Sequence, residues 1–221
     1  MIALAATGLE EGVWLRADRQ TSGRGRQGRA WVSPPGNFYA STLVRLRPSD
    51  PPAATLALVA AVALEEAVSA YLPGGDGAAQ LKWPNDLLID GAKLSGVLLE
   101  RAGDAVVIGL GVNLAHHPTD TDRVATSLAA HGVTVAAEDF AETLAEAFAR
   151  WVERWRGEGI DVVRRRWVER AHDAGTPLTA RLPDGSALDG LFDGLDAEGA
   201  LILRLADGTR RVIHAGDVFL L

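Results

Sequence analysis

Lysine occurs at only two positions in this chain, Lys82 and Lys93, whereas the other 20 basic residues are arginine. Both lysines belong to the stretch LKWPNDLLIDGAKLSG, in which Pro84, Asn85 and Asp86 form a candidate tight turn. A lysine ammonium is a compact charge on a flexible stem, so it can follow a phosphate or carboxylate oxygen during a reaction. Asparagine and aspartate offer oxygen ligands for Mg²⁺ and hydrogen bonds to a nucleotide. The stretch therefore indicates a site for anionic substrates, and an exposed turn with two surface lysines is the alternative.

A second candidate is the loop GRGRQGR, residues 23–29, which carries three arginines and three glycines. Glycines let a backbone approach a ligand closely, and arginines present bidentate donors to phosphate or carboxylate. The spacing also satisfies G-x-G-x-x-G, but Ser33-Pro34-Pro35 follows, where a dinucleotide site requires a helix. A solvated surface loop and a nucleic-acid-binding loop remain alternatives, and the net charge of -7 disfavours the second.

Small residues mark two further places where a ligand could approach a strand. Lys93 is followed by Ser95-Gly96, a gap in side-chain bulk that lets a ligand or another strand lie close. The stretch GLGVN, residues 109–113, ends an apolar strand with two glycines and a polar asparagine. Alone, GLGVN is equally consistent with the wall of a ligand site and with a bulged strand end.

The composition limits the class of protein. With 221 residues, 48% hydrophobic and 23% charged, the chain can form one large globular domain or a main domain with a small one. The absence of cysteine excludes disulfides, thiolate catalysis and cysteine-ligated metals. The start MIALAATGLEEG lacks the basic region of a signal peptide, and no apolar run approaches the ~18 residues that span a bilayer. We interpret the chain as a cytoplasmic protein.

Hydrophobic patterning predicts an α+β protein, with helices and strands interspersed along the chain. One helix should begin with Ser49 or Asp50 near its cap and prolines in its first turn, and Asp90-Gly91 should form a hairpin turn. The predicted helices are 2–8, 49–72, 138–155 and 161–175, and the predicted strands are 12–18, 37–46, 79–83, 87–90, 93–101 and 104–114. Residues 73–77 should break a helix, and residues 115–137 should be loop with a short helix.

The composition changes at Gly175, where short β runs separated by Asp-Gly or Glu-Gly begin. This pattern predicts a compact module of about five strands, a small SH3-like β-barrel. We therefore expect a catalytic domain over residues 1–174 and a C-terminal β domain over residues 175–221.

In order and spacing, the segments GRGRQGRAW, KWPND, KLSGVLLE and GLGVN, followed by the small β module, resemble the biotin protein ligase family. The resemblance covers nearly the whole chain. It implies a mixed or antiparallel sheet packed with helices, like a class II synthetase, plus the SH3-like barrel. It also implies a two-step reaction, in which ATP activates biotin to biotinyl-5′-AMP and a lysine of a biotin carboxyl carrier domain then receives the biotinyl group. ATP, biotin and Mg²⁺ are the implied substrates and cofactor.

The resemblance also implies roles for individual residues. It places Arg26 at the reacting phosphate, Lys93 where the biotin carboxylate meets the α-phosphate, and Trp31 near the adenine. The implied catalytic residues are Lys93, Arg26 and Lys82; the biotin-binding residues are Gln20, Arg24, Gly25, Arg26, Lys93 and Gly96; the nucleotide-binding residues are Arg26, Trp31, Lys82, Asn85, Asp86 and Asn113; and Asp86 is the candidate Mg²⁺ ligand.

The chain departs from the family pattern at its start, because the Ser-Thr-Asn segment that touches the biotin rings would precede Met1. A DNA-binding winged helix is likewise not seen, so we expect a ligase without a repressor role, without nucleic-acid or membrane partners, and with a homodimer as an open option. Two rival functions remain: a lipoate-type ligase of the same superfamily, and a non-enzymatic module whose arginine loop binds nucleic acid or protein.

Overall fold

The computed structural model describes residues 1–75, 77–120 and 124–221, which form helices and two antiparallel sheets. The helices are α1 (Ile2–Ala6), α2 (Leu56–Ser69), α3 (Ala137–Glu158) and α4 (Ile160–Glu169). The first six strands are β1 (Leu15–Ala17), β2 (Phe38–Arg45), β3 (Gln80–Lys82), β4 (Asp86–Ile89), β5 (Ala92–Ala102) and β6 (Ala105–Val112). The last five are β7 (Pro177–Arg181), β8 (Ala187–Leu195), β9 (Leu201–Arg204), β10 (Arg210–Ile213) and β11 (Asp217–Leu220). Single 3-10 turns lie at Arg26–Gly28, Ala53–Thr55 and Leu128–His131.

The first sheet has the strand order β1-β2-β6-β5-β4-β3, and helices α2, α3 and α4 cover one of its faces. Successive residues of a strand point to opposite faces. On β6, Ile108, Leu110 and Val112 accordingly join the core under the helices, whereas Gly109 and Gly111 lie on the other face. One face of this sheet therefore carries the main core. The other packs against α1 at Leu43 and Val107 and leaves the surface around Gly109 and Gly111 for a ligand.

The remaining five strands form a second antiparallel sheet, here called the C-terminal sheet, in the order β10-β9-β8-β7-β11. Three of its tight turns place Gly185, Gly199 and Gly208 at φ 85°, 85° and 82°, the left-handed region that glycine tolerates. The predicted α+β class and the five C-terminal strands are confirmed. The strand pairing ends on β10 at one edge and β11 at the other, so closure into the predicted SH3-like barrel stays a prediction.

Other predicted elements are also found, with shifted ends. The turn Asp90-Gly91 has φ of 49° and 77° and joins β4 to β5, as its sequence predicts. The first strand is shorter than predicted, since only Leu15–Ala17 pairs with β2. The predicted loops 73–77 and 115–137 include Asp76 and residues 121–123, which lie outside the described residues.

The prediction for the start of α2 was wrong. The helix begins at Leu56 after a 3-10 turn, rather than next to Ser49 or Asp50. A proline disfavours the helical conformation in the residue before it, and Pro52 itself is extended at ψ 130°. The Asp50 carboxylate instead accepts a bond from the Arg47 amide and pairs with Arg156.

Helix α2 is almost entirely buried and includes one buried charge, Glu65, which is 0% exposed. Its carboxylate accepts a bond from Ser69 at 2.9 Å and lies 3.4 Å from Arg166 and 3.7 Å from Arg170. A buried carboxylate needs such partners because it has lost its water. The pairing ties α2 to α4 and to the segment that follows it.

Within residues 1–75, 77–120 and 124–221, we find no helix with the length and apolar character required to cross a bilayer.

The aromatic packing between α3 and the sheet offers a direct test of the core. Phe140 is 0% exposed, and its ring meets that of Phe38 edge to face at 5.1 Å. We expect Phe140→Ala to lower the free energy of unfolding by about 3–5 kcal/mol, because it leaves a cavity between helix and sheet. Urea unfolding followed by circular dichroism measures this, and the exposed Glu142→Ala on the same helix should change stability by less than about 0.5 kcal/mol. Equal stability of the two variants would contradict the packing described here.

Candidate functional site

A cavity of about 700 Å³ lies against the sheet face opposite helices α2, α3 and α4. The lining residues lie in and beside the glycine-arginine loop, on strands β4 to β6, at Ser41 of β2, at Pro118, Asp120 and Ala125, and on the C-terminal sheet. Its cationic side chains are Arg24, Arg26, Arg29, Lys93 and Arg181, and its acidic ones are Asp86, Glu100, Asp120 and Asp217. A cavity with this many cations suits a polyanionic ligand.

One row of residues, directly opposite one another across four strands, runs from behind the cavity onto its floor. Strand pairing sets Lys82 opposite Asp86, Asp86 opposite Gly96, and Gly96 opposite Gly111. Residues paired in this way share one face of a sheet. The row therefore places two positions without side chains beside a carboxylate, which leaves a shallow flat surface next to a charge.

A β-bulge decides where Lys93 points. Asp86 pairs with Gly96 and Leu87 with Ser95, but Leu88 pairs with Lys93, so β5 carries Leu94 as an extra residue. Lys93 lies three positions from Gly96, and in a regular strand it would face the opposite side of the sheet. The bulge brings it to the cavity face, since bulges re-aim side chains. Its ammonium then lies 2.5 Å from Asp86 Oδ1.

Asp86 is held between two ammonium groups. Its Oδ1 accepts from Lys93, and its Oδ2 lies 3.5 Å from the Nζ of Lys82. The Asp86 side chain is only 3% exposed, so these pairs are shielded from water. Each carboxylate oxygen has two lone pairs, so these contacts leave room for a further ligand, and Asp86 as a magnesium ligand stays a prediction. No set of three metal-binding side chains occurs among the described residues.

The glycine-arginine loop is folded by its own backbone. The Gly25 amide donates to the Arg29 carbonyl at 2.8 Å, and Gln27 within the 3-10 turn has φ of 57°. At Gly23, a Cβ would come within 2.6 Å of Ser33 Oγ and 2.7 Å of Gln20 Oε1, so a larger residue would displace that contact. The loop thereby brings Gln20, Arg24 and Gly25 to the cavity.

Two arginines of this loop reach distant parts of the chain. Arg26 Nη1 donates to Asn85 Oδ1 at 3.5 Å and to the Gly216 carbonyl at 3.3 Å. The same nitrogen lies 3.7 Å from Asp217, which also accepts a bond from Arg29. The glycine-arginine loop, the WPND turn and the last strand of the chain therefore meet at one point.

Trp31 lies on the glycine floor. A Cβ at Gly111 would come within 2.7 Å of the indole Nε1, and one at Gly96 would lie 3.6 Å from the ring. The Lys93 ammonium is 5.4 Å from the ring centroid, which is a cation–π distance. Trp31 Nε1 is buried and has no hydrogen-bond partner among the residues that the structure describes. The indole N–H is thus an unsatisfied donor, and a ligand oxygen could accept a hydrogen bond from it.

Most of the residues singled out in the sequence line this cavity, but Lys82 does not, and the side chain of Asn113 is engaged elsewhere. Lys82 is 8% exposed, lies behind Asp86 and is not a lining residue. Asn113 reaches the cavity wall, but its side-chain amide donates to the Thr126 carbonyl at 3.0 Å, which joins the end of β6 to that segment. The lining residues are Gln20, Arg24, Gly25, Arg26, Trp31, Asn85, Asp86, Lys93, Gly96 and Asn113.

Sequence reasoning missed the contribution of the C-terminal sheet. Arg181, Asp217 and Phe219 line the cavity. In the sequence, Asp217 is one of several acidic residues in short β runs, and nothing local distinguishes it. Arg29 belongs to GRGRQGR, but the sequence predicts no separate role for it. In the structure it donates a hydrogen bond to Asp217.

His172 lies behind this site, close enough for the charge of Lys82 to act on it. Burial, and next the Lys82 charge, lower the pKa of His172, while Asp173 raises it to a smaller extent. His172 Nε2 is buried without a hydrogen-bond partner among the described residues. The folded state therefore disfavours the protonated imidazole.

The chain matches known proteins over nearly its full length. The model of the Biotin/lipoate A/B protein ligase family matches residues 5–113, and that of the Biotin protein ligase C terminal domain matches residues 175–221. A biotin–[acetyl-CoA-carboxylase] ligase of Paracoccus denitrificans is 40% identical, over 97% of this chain and 92% of the relative.

Two solved structures share the fold. A biotin protein ligase from Aquifex aeolicus in complex with biotin and ATP has a TM-score of 0.84 at 24% identity, over 96% of this chain and 91% of that one. A biotin protein ligase from Leishmania major in complex with biotinyl-5-AMP has a TM-score of 0.67 at 27% identity, over 97% of this chain and 94% of that one.

The contact between Trp31 and the glycine floor predicts the effect of one methyl group. We expect Gly111→Ala to push the indole of Trp31 away, because the new Cβ would lie 2.7 Å from Nε1. The change should appear as altered tryptophan emission that disappears when Trp31→Phe is added. Gly109→Ala on the same strand is the control, since its Cβ would meet only ordinary contacts at 3.7 Å. Identical emission from both alanine variants would show that Trp31 does not lie on Gly111.

The environment of His172 predicts a pH dependence of stability. Its pKa is lower in the folded state than the value of about 6.5 in an unfolded chain, so the unfolded state binds the proton first. Stability should therefore fall as pH drops below about 6.5, and His172→Gln should remove part of that loss. Unfolding free energies between about pH 7.5 and pH 5 measure it, with the exposed His214→Gln as the control. A loss of the same size in His172→Gln and in the unmodified protein would refute this role.

Proposed function

Because the chain belongs to the biotin protein ligase family, we propose that it activates biotin with ATP and transfers the biotinyl group to a lysine of a biotin carboxyl carrier domain. The enzyme class, the substrates and the acceptor rest on the relatives. The assignment of residues rests on the cavity. We further propose that the reaction takes place in the cytoplasm, where ATP is available.

In the first step, a carboxylate oxygen of biotin attacks the α-phosphorus of ATP. The bond to the β-phosphate breaks, and biotinyl-5′-AMP and pyrophosphate form. Because an anion must approach a polyanion, the site has to neutralise both reactants and hold them in line. In the second step, the acceptor amine attacks the acyl carbon and expels AMP. Neither step needs an enzyme nucleophile, in agreement with a chain that has no cysteine.

One observation carries the assignment of residues: the glycine-arginine loop and the WPND turn meet in one cavity, where Arg26 contacts Asn85 at 3.5 Å. We assign Lys93 to the reacting carboxylate and phosphate, with Asp86 positioning its ammonium. Arg26 would stabilise the phosphate from the other side. Lys82 would act through Asp86, since it lies 3.5 Å behind that carboxylate.

The remaining assignments follow the family resemblance, and the presence of these residues in the cavity wall supports them. Gln20, Arg24, Gly25 and Gly96 would bind biotin, whereas Trp31, Asn85 and Asn113 would lie on the nucleotide side. Magnesium would enter bound to the nucleotide phosphates, with Asp86 as its candidate ligand. A homodimer and the lack of a nucleic-acid partner stay predictions, and the second rests on the net charge of -7.

Biotin-dependent exchange of pyrophosphate into ATP tests the function and the role of Lys93 together. The exchange should require biotin and should not run with lipoate. Lys93→Arg should lower its rate by about 10²-fold or more, because the guanidinium cannot occupy the narrow space between Asp86, Gly96 and Trp31.

The control is Arg101→Lys, an exposed position on the same strand that does not line the cavity. Exchange driven by lipoate alone would mean that this chain is a lipoate-type ligase. A near-normal rate for Lys93→Arg would remove Lys93 from the reacting centre.

A further inference from the structure

Arg181, on strand β7 of the C-terminal sheet, lines the cavity and belongs to none of the motifs found in the sequence. Strand β11 pairs with β7 so that Asp217 lies opposite Arg181. Opposite residues share a face, and Phe219, two positions along β11, lies diagonal to Arg181 on that face. All three side chains line the cavity.

The two most buried carboxylates of the cavity are already engaged with other cations. Asp217, with a side chain 9% exposed, accepts from Arg29 and lies 3.7 Å from Arg26. Asp86 is similarly occupied by Lys93 and Lys82. These carboxylates therefore supply counter-charge to the loop arginines and the lysines.

Arg181 is held in place without such a counter-charge. Its guanidinium carbon lies 4.9 Å from the centroid of the Phe219 ring, a cation–π contact that orients the side chain. Within the part of the chain that the structure describes, Arg181 forms no ion pair, although Arg26 and Arg29 lie around the neighbouring Asp217. Three arginines therefore lie around one carboxylate, which leaves a net positive charge there that an anionic ligand can neutralise.

We propose that Arg181, on strand β7, binds the polyphosphate of ATP. The inference rests on the proposed function, which brings ATP into this cavity. The polyphosphate is the best match by charge, since it carries several negative charges and biotin carries one. It also matches by position, because Asp217 joins the strand of Arg181 to Arg26, the residue assigned to the reacting phosphate. Arg181 thereby also contacts the pyrophosphate that leaves.

Exchange kinetics separate this role from a role in acceptor binding, because the exchange reaction runs without an acceptor protein. We expect Arg181→Ala to raise the KM for ATP and the KM for pyrophosphate about tenfold, the effect of losing one charge-assisted contact. The KM for biotin should stay within about twofold of that of the unmodified protein. For ATP and pyrophosphate, the KM values of Arg181→Lys should lie between those of the unmodified protein and those of Arg181→Ala, because lysine keeps the charge and loses the planar fork. The control is Arg211→Ala, an exposed arginine of β10 that does not line this cavity; its kinetics should match those of the unmodified protein.

Each other result overturns the proposal. Unchanged KM values for ATP and pyrophosphate would exclude a phosphate contact. A raised KM for the acceptor alone would assign Arg181 to acceptor docking. A raised KM for ATP with an unchanged KM for pyrophosphate would place Arg181 at the base or ribose.

Calorimetric titration with ATP alone distinguishes failure of this inference from failure of the proposed function. If the unmodified protein shows no biotin-dependent exchange, the proposed function fails. The dissociation constant for ATP, measured for the unmodified protein and for Arg181→Ala, then still decides whether Arg181 binds the nucleotide. A tenfold weaker affinity supports it, and equal affinities refute it. Thermal unfolding of each variant verifies that the fold is kept.

Discussion

The site depends on the pairing of one carboxylate with two ammonium groups. Asp86 is nearly inaccessible to water, and both of its oxygens face lysine, Lys93 at 2.5 Å and Lys82 at 3.5 Å. A lone buried carboxylate would be costly, and so would either lysine without it. Together they fix the position of Lys93 Nζ, which has a flexible stem and no other described hydrogen bond from its ammonium. Asp86 would thus position the charge that we assign to the reacting groups without touching those groups itself.

The sheet around this pair is built to leave room for a ligand. Gly96 and Gly111 lie in register beside Asp86, and the indole of Trp31 rests on them. Larger residues there would force the ring away from the sheet. The bulge at Leu94 completes the arrangement, because it turns Lys93 toward the glycine floor while Leu94 remains buried in the core. A regular strand would have directed the cation away from the cavity.

The glycine-arginine loop and the last strand of the chain meet at this cavity. Arg26 touches the Gly216 carbonyl, and Arg29 pairs with Asp217, so the glycine-arginine loop is bound to the last strand. A mixed anhydride hydrolyses easily, and a loop held over it would limit the access of water. Through these contacts with the loop, the C-terminal sheet could influence adenylation.

Local chemistry was enough to predict much of this protein. The Asp90-Gly91 turn, the five C-terminal strands and the α+β class all follow from residue types and spacing, because turns and strand periodicity are properties of a few neighbouring residues. The division at residue 175 stays a prediction. Local pattern failed at α2, where the prolines delayed the helix to Leu56. The direction of Lys93, the burial of Lys82 behind Asp86 and the entry of Asp217 and Arg181 into the cavity were decided only by tertiary structure. Each depends on strand register or on contacts between residues far apart in the chain, and no local pattern encodes these.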